Sequence, residues 1–295
     1  MNKIVIITGL TGTGKSALAI EIAKKYNGEI ISADSVQVYI GLDIGSAKVS
    51  KDERTEVEHH LIDIKNFNEN YNVGEFVSDC EKIVKEIIGK GKLPIITGGT
   101  GLYIQALING YSLGDSADIK FRQKLEEEAK INGNIFVWEK LNKINPQKAS
   151  TVHPNNLKRV IRYLELEQSP VKMLKPSFLA NYNLCLVGIN EERDDIYNKL
   201  NIRVDKLLEL GLENEVKELI KQGATKEMQS MSAIGYKEWF DYFEGRTSYE
   251  KTIELIKQHT RNYCKRQLTF MKTIKDLKIC SFKEAKKHIE QFLTN

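Results

Sequence analysis

Residues 9–16 read Gly9-Leu10-Thr11-Gly12-Thr13-Gly14-Lys15-Ser16, which is the spacing of a phosphate-binding loop. An apolar, β-branched run at residues 3–8 precedes the loop and is typical of a buried parallel strand. Residues 17–25 follow it with helix-forming residues and apolar positions at helical spacing. In this order, backbone N–H groups and the positive end of the helix dipole surround an anion. The segment therefore predicts a site for a phosphate or diphosphate.

Two side chains at the end of the loop add specific chemistry. Lys15 supplies a positive charge for the anion, and the Ser16 hydroxyl is placed to bind Mg²⁺, the cofactor that we expect. The adjacent His59 and His60 have no third ligand at a suitable spacing, so hydrogen-bonded structural histidines are favoured there. The residues predicted to bind the diphosphate are Gly9, Thr11, Gly12, Thr13, Gly14, Lys15 and Ser16.

Strands and helices alternate along the chain on both sides of a central helical stretch. The predicted strands after the first helix are residues 28–33, 59–64, 95–97 and 184–189, and the predicted helices are 73–89, 102–107, 194–210, 213–222 and 249–271. This alternation is typical of an α/β fold with a parallel sheet. Residues 113–177 are strongly helical and charged. We therefore predict a core formed by residues 1–112 and 178–295, with a helical insertion domain at 113–177.

The composition is that of an ordinary globular protein. The chain has 295 residues, of which 41% are hydrophobic and 28% charged, and this excludes wholesale disorder. No apolar run approaches the span of a bilayer and the four cysteines are scattered, so we expect a cytoplasmic protein without a membrane segment. The net charge of +4 is mild, but residues 257–287 carry ten Lys and Arg against two acidic residues. That segment is a candidate footprint for phosphates, or else a solvated lysine-rich helix surface.

Two further strand ends carry groups that can do chemistry. Asp34 can accept a proton from, or orient, a nucleophile aimed at the group held by the loop, with a turn or N-cap aspartate as the alternative. Ser35 and Gln37 beside it could hydrogen-bond a base or sugar, and Gln suits the edge of adenine. Thr100 lies among three glycines, which indicate either close approach to a ligand or a tight strand-to-helix turn. The strand before it lacks the acidic residue with which motor-type nucleotide hydrolases hold Mg²⁺.

Three segments have the composition of an RNA-binding surface. Residues 260–272 interleave cations with aromatic and amide side chains, which suits phosphates together with an unstacked base. Lys158, Arg159 and Arg162 lie largely on one helix face, because they are three and four residues apart. Residues 232–238 combine a glycine with a nearby lysine. For the last two segments, a solvated helix face and a turn between helices are the alternatives.

Together these segments resemble the tRNA dimethylallyltransferases, also called tRNA isopentenyltransferases, over nearly the whole chain. The phosphate loop alone occurs in many unrelated proteins, whereas its combination with the other segments in this order is specific. The matching segments are GLTGTGKS (9–16), SADSVQVY (32–39), HHLIDI (59–64), ITGGTGLY (96–103), HPNNLKRVIR (153–162), NIRVDKLLELGLENEV (201–216), SAIGYKE (232–238) and TRNYCKRQLTFMK (260–272).

The resemblance implies a P-loop kinase-like parallel-sheet core whose loop binds dimethylallyl diphosphate instead of ATP. It implies transfer of the dimethylallyl group to N6 of adenosine 37, next to the anticodon, in tRNAs that read codons beginning with U. By the same resemblance, Asp34 is the general base or orienter at N6, and Thr100 and Arg203 lie near the bridging oxygen and the diphosphate. Lys15 and Ser16, with Mg²⁺, hold the leaving group.

The resemblance also implies a set of residues that contact tRNA. They are Asp34, Ser35, Val36, Gln37, Thr100, Arg122, Lys158, Arg159, Val160, Ile161, Arg162, Ser232, Ala233, Ile234, Gly235, Tyr236, Lys237, Lys265, Arg266, Gln267 and Lys272. The expected partners are therefore dimethylallyl diphosphate and the anticodon stem-loop of tRNA, bound by a monomer.

Two other classes of protein remain as alternatives. A nucleoside or small-molecule kinase of the same fold would use ATP and usually carries an arginine-rich lid, whereas residues 111–130 contain only Arg122. A non-enzymatic P-loop RNA-binding protein would have no use for Asp34 and Thr100 at the mouth of the diphosphate site.

Overall fold

A six-stranded parallel sheet forms the centre of the computed structural model, which describes residues 1–110, 118–168 and 176–295. The strands are β1 (Lys3–Gly9), β2 (Gly28–Ser32), β3 (His59–His60), β4 (Leu93–Thr97), β5 (Asn183–Ile189) and β6 (Lys278–Cys280). Their order across the sheet is β3-β2-β4-β1-β5-β6, and every neighbouring pair is parallel. The predicted α/β fold with a parallel sheet is confirmed.

Helices cover both faces of the sheet. Those of the core are α1 (Lys15–Tyr26), α2 (Lys51–Glu56), α3 (Val73–Gly89), α4 (Gly101–Asn109), α9 (Arg193–Glu209), α10 (Leu212–Lys221), α11 (Lys237–Phe243), α12 (Tyr249–Met271) and α13 (Phe282–Thr294). Successive side chains of the buried strands point to opposite faces of the sheet. Ile4 and Ile6 of β1 join the core cluster that includes residues of α3 and α4. Val5 and Ile7 join the cluster that includes residues of α1 and α13.

Strand β3 is shorter than its predicted span of residues 59–64. The backbone leaves the extended conformation directly after it, because Leu61 and Asp63 adopt φ values of 61° and 55°. The two histidines are hydrogen-bonded, as the sequence favours: His59 Nδ1 lies 2.7 Å from the Val57 carbonyl oxygen, and His60 Nε2 lies 2.8 Å from Glu29 Oε2.

The basic segment at residues 257–287 extends over more than one element of secondary structure. Its cations are divided among α12, β6 and α13, because α12 ends at Met271 and the chain turns at Asp276, where φ is 61°. Lys257 is paired with Asp205 at 2.6 Å. Lys286 is paired with Glu21, and the buried Ile289 fixes α13 against α1.

The chain divides into two compact units, residues 1–109 with 177–295, and residues 110–176. The second unit contains α5 (Ile119–Asn132), α6 (Asn134–Ile144), α7 (Pro146–Ser150) and α8 (Leu157–Gln168) around a core of its own. The predicted domain boundary at residues 112–113 lies outside the described residues. None of the helices in the described ranges is long and apolar enough to cross a membrane.

Candidate active site

The phosphate loop joins β1 to α1 with the geometry of an anion site. Gly12 and Gly14 adopt φ values of 81° and 83°, which glycine reaches without steric cost. Gly14 is the N-cap of α1 and has no side chain, so the first N–H groups of the helix receive no side-chain cap. The loop is held from within by Thr13 and Lys15, which donate to the Leu10 carbonyl oxygen at 2.8 and 2.6 Å.

A cavity of about 380 Å³ opens over this loop and is called the loop cavity here. Among the residues that line it are Thr11, Gly12, Gly14, Lys15, Ser16, Asp34, Gln37 and Arg203. The structure thus brings most of the predicted diphosphate-binding residues together with two residues predicted to act in catalysis. Gly9, the last residue of β1, and Thr13, which is 3% exposed, do not line the cavity and belong to the buried side of the loop.

Two cations face the loop cavity. Burial, and then the neighbouring Arg203, lower the pKa of Lys15 to about 8, while Asp34 opposes that shift. Burial also lowers the pKa of Arg203, and the Asp34 carboxylate again opposes it. Arg203 hydrogen-bonds to no residue within the described ranges. Two desolvated positive charges beside one carboxylate leave a net positive charge in the cavity, which favours an anion.

A second cavity, of about 350 Å³, adjoins the loop cavity. It is lined in part by Ser35, Val36, Gly45, Ser232, Ala233, Ile234, Gly235, Lys237 and Arg266. Most of these residues were predicted to contact RNA. Both cavities are lined by Thr11, Asp34, Ser46, Arg203 and Tyr263. Asp34 and Arg203 therefore lie where the phosphate loop and the second cavity meet.

Asp34 and Thr100 shape the turn at this junction. Asp34 Oδ1 accepts the backbone N–H of Val36 at 2.8 Å and of Gln37 at 3.3 Å. Asp34 is therefore a turn aspartate, which was the alternative that its sequence position allowed. Thr100 Oγ1 accepts the N–H of Ser35 at 3.0 Å and lies 3.3 Å from the Ser35 hydroxyl. The Thr100 hydroxyl therefore holds the Asp34 turn to the loop after β4.

The family comparison agrees with this arrangement. The family model described as IPP transferase matches residues 37–274. The chain belongs to the IPP transferase family. It is 44% identical over 271 residues to the tRNA dimethylallyltransferase of Lactococcus lactis subsp. lactis, which covers 92% of this chain and 90% of that relative. The relative from Bacillus cytotoxicus, of the same name, is 43% identical over 281 residues, covering 93% and 89%.

Solved structures extend the comparison to the fold. The crystal structure of the tRNA isopentenylpyrophosphate transferase from Bacillus halodurans matches with a TM-score of 0.75 at 40% identity, over 100% of this chain and 96% of that one. A eukaryotic dimethylallyltransferase acting on tRNA matches with a TM-score of 0.75 at 27% identity, over 99% of this chain and 78% of that one. The resemblance found in the sequence and the P-loop kinase-like fold are confirmed.

In this member of the IPP transferase family, the insertion pairs two of the predicted RNA-contacting arginines with one acid. Arg122 Nη2 and Arg162 Nη1 lie 2.7 and 2.5 Å from Glu165 Oε2. Burial by itself raises the pKa of Glu165, but hydrogen bonds from both arginines and from the Asp118 N–H outweigh it and lower the pKa to about 2. Lys158 and Arg159 are exposed, and the Arg159 guanidinium is 5.4 Å from the Tyr163 ring centroid.

Three of the residues predicted to contact RNA have buried side chains. Val160 and Ile161 are 0% and 2% exposed and build the core of the insertion, because they occupy the apolar face of α8. Tyr236 is 0% exposed, and its hydroxyl donates to Glu215 Oε1 at 2.7 Å. Buried side chains of this kind position their neighbours and do not reach a macromolecular ligand.

Gln267 is also placed differently from the cations beside it. It is 5% exposed, its Oε1 accepts the Thr11 N–H at 2.9 Å, and its Nε2 donates to the Gly99 carbonyl oxygen at 3.0 Å. The amide therefore bridges the two glycine loops. Lys265, Arg266 and Lys272, by contrast, are exposed on the same stretch of α12 and its C-cap.

Sequence reasoning did not single out Tyr263, which lines both cavities. Its hydroxyl donates to the Gly99 carbonyl oxygen at 3.0 Å, and its ring centroid is 5.6 Å from the Arg266 guanidinium carbon. A signal was present: Tyr263 and Gln267 are four residues apart and so share one face of α12. Glu215 was missed as well, because its partners are distant in sequence.

Proposed function

We propose that this chain transfers the dimethylallyl group of dimethylallyl diphosphate to N6 of adenosine 37 in tRNAs that read codons beginning with U. One observation carries the proposal: the cavity over the phosphate loop and the cavity lined by the predicted RNA-contacting residues meet at Asp34 and Arg203. A donor held by its diphosphate in the first cavity would present its reactive carbon to a base that enters through the second.

The loop cavity suits the leaving group. Lys15, Arg203 and the uncapped N–H groups of α1 would stabilise the negative charge that develops on the diphosphate as the allylic bond breaks. The charge of the diphosphate would also offset the burial that lowers the pKa of Lys15, and so favour the protonated ammonium.

Ser16 would hold Mg²⁺ in the loop cavity. Its hydroxyl belongs to the first turn of α1 and lines the cavity beside Lys15. The described residues contain no cluster of three or more His, Cys, Asp or Glu that could hold a metal, so a cage made only of protein ligands does not fit. A single hydroxyl together with diphosphate oxygens and water fits Mg²⁺, which retains waters and takes few protein ligands. When bound, Mg²⁺ would neutralise charge on the leaving diphosphate.

Asp34 would orient the acceptor amine. Its Oδ1 is engaged by the turn, and no residue in the described ranges donates a hydrogen bond to Oδ2. That oxygen is free to accept a hydrogen bond from an exocyclic amino group and then its proton. The target base must leave the anticodon stack to reach this point, since N6 is otherwise inaccessible. The second cavity provides the space for it.

A kinase would bind the phosphates of ATP, and not a prenyl diphosphate, at the same loop. It would require ATP in the loop cavity and lid arginines that reach its phosphates. Arg122, the single arginine of residues 111–130, is engaged by the buried Glu165. The kinase alternative is therefore not favoured. The monomeric state and the cytoplasmic location stay predictions.

One assay separates the alternatives. The protein is incubated with radiolabelled dimethylallyl diphosphate and an anticodon stem-loop that carries adenosine 37, with a matched stem-loop carrying guanosine there as the control. Label should enter only the first RNA, and only when Mg²⁺ is present. Turnover of ATP without label transfer would support a kinase, and binding of RNA without either reaction would support a non-enzymatic protein.

A further inference from the structure

A carboxylate outside both cavities holds the segment that forms part of their walls. Glu215 of α10 accepts three consecutive backbone N–H groups through its two oxygens: Asp43 at 3.0 Å, Ile44 at 2.7 Å and Gly45 at 3.0 Å. Its Oε1 also accepts the Tyr236 hydroxyl at 2.7 Å. A charged acceptor shared by consecutive N–H groups fixes a backbone more firmly than neutral hydrogen bonds do.

The Tyr236 side chain fills the space beside Gly45. A Cβ atom on Gly45 would lie 2.4–2.8 Å from three atoms of the Tyr236 ring and hydroxyl, so a larger residue at position 45 would displace that side chain. Tyr236 is fully buried and has no room to move outward. Glu215, Tyr236 and Gly45 therefore form one interlocked unit, which we name the Glu215 clamp.

The clamp acts on a segment that contributes to both cavities, residues 43–48, which we call the wall segment. Gly45 and Ser46 line the second cavity, whereas Ser46, Ala47 and Lys48 line the loop cavity. The Lys48 end of this segment has further contacts: Lys48 Nζ donates to the Tyr39 carbonyl oxygen at 2.8 Å, to Asp63 Oδ1 at 2.6 Å and to Asp43 Oδ1 at 2.5 Å. Loosening the clamp would therefore release the backbone N–H groups of residues 43–45, while the contacts of Lys48 with Tyr39 and Asp63 remain.

We propose that Glu215 is a positioning residue that sets the shape of the second cavity for the incoming base. This inference rests on the proposed function, because it takes the second cavity to be the entrance for adenosine. Glu215 does not line either cavity and acts through Gly45 and Ser46. Its loss should impair the use of RNA and leave binding of the diphosphate unchanged, since none of Glu215, Tyr236 and Gly45 lines the loop cavity.

The test compares Glu215→Gln and Tyr236→Phe with the control Glu218→Gln, an exposed acid on the same helix. The Gln variant keeps the size of the side chain but loses one acceptor oxygen, so backbone donors are left unpaired. We expect kcat/KM for the stem-loop to fall about 10- to 100-fold in Glu215→Gln. Tyr236→Phe, which keeps all three backbone bonds, should show a smaller fall, and the control no change.

Two further measurements separate this role from a general loss of stability. The Kd for inorganic pyrophosphate should change less than about twofold in every variant. Hydrogen exchange of the amides at residues 43–45 should accelerate in Glu215→Gln, less in Tyr236→Phe and not in the control. An equal loss of pyrophosphate binding, an unchanged kcat/KM for RNA or unaltered exchange at these amides would overturn the proposal. Absence of label transfer by the unmodified protein would instead overturn the proposed function, while amide exchange would still test the clamp.

Discussion

At the scale of single residues, the two oxygens of Asp34 have separate tasks. Oδ1 holds the turn, and Oδ2 is proposed to accept from the amine. Asp34→Asn preserves an oxygen for the turn but cannot take a proton, so the rate of single turnover should fall by about 100-fold or more. Asp34→Ala should lose the turn as well. Affinity for RNA, measured by filter binding, should change little in Asp34→Asn, and an undiminished rate would remove Asp34 from the mechanism.

Gln267 offers a second test at this scale, because its two possible roles predict different losses. If its amide bridges the glycine loops in solution, Gln267→Ala should weaken pyrophosphate binding about 10-fold, since the Thr11 N–H loses its partner and the Gly99 carbonyl oxygen keeps only the Tyr263 hydroxyl. RNA affinity should stay within about twofold. Gln258→Ala, an exposed glutamine of the same helix, is the matched control. A loss of RNA affinity with intact pyrophosphate binding would contradict the bridging role and support the contact between Gln267 and tRNA that the resemblance implies.

At the scale of elements, α12 carries a buried amide, Gln267, directly after two exposed cations. Lys265 and Arg266 are exposed, and Arg266 reaches the second cavity. The double variant Lys265→Ala, Arg266→Ala should weaken tRNA binding and reduce the slope of log K against log salt by about 2, because two phosphate contacts are lost. Lys251→Ala, Lys257→Ala removes the same charge from the helix at positions paired with Glu254 and Asp205. If both double variants bind tRNA equally well, the exposed cations of α12 are only a solvated surface.

At the scale of the whole molecule, a buried ionic contact lies at the end of the sheet opposite the site. Glu29 accepts from Lys92 Nζ and from His60 Nε2, each at 2.8 Å. Burial by itself raises the pKa of Glu29, but hydrogen bonds from Lys92, His60 and Lys90 outweigh it and lower the pKa to about 2. Because the folded pKa is below that of the unfolded chain, the stabilisation is present above pH 4.5 and is lost as the pH falls towards 2.

Glu29→Gln should therefore lower the free energy of unfolding at pH 7 by on the order of 3 kcal/mol, as measured by urea denaturation. The difference from the unmodified protein should shrink between pH 4.5 and pH 2, and kcat at pH 7 should not change. Glu58→Gln, an exposed neighbour, is the control. A difference in stability that is independent of pH would show that packing, and not the charge of Glu29, matters at this position.

The sequence by itself determined the phosphate loop, the parallel α/β fold, most helices and the family. These features depend on local patterns: glycines where φ is positive, β-branched strands, and apolar residues at helical spacing. The short β3 departed from expectation, because the positive φ values of Leu61 and Asp63 are backbone conformations that residue type alone does not reveal.

Only the tertiary structure decided which residues of the recognised segments face inward and what they hold. Gln267 meets Thr11 across 256 positions, and Glu215 meets Asp43 across 172. No local pattern encodes such pairs, because each partner is a backbone N–H group that every non-proline residue possesses. The meeting of the two cavities at Asp34 and Arg203 depends in the same way on how α9 and α12 pack over the carboxyl ends of the strands. Long-range packing, and not residue identity, therefore separates the residues that line the site from those that hold it in shape.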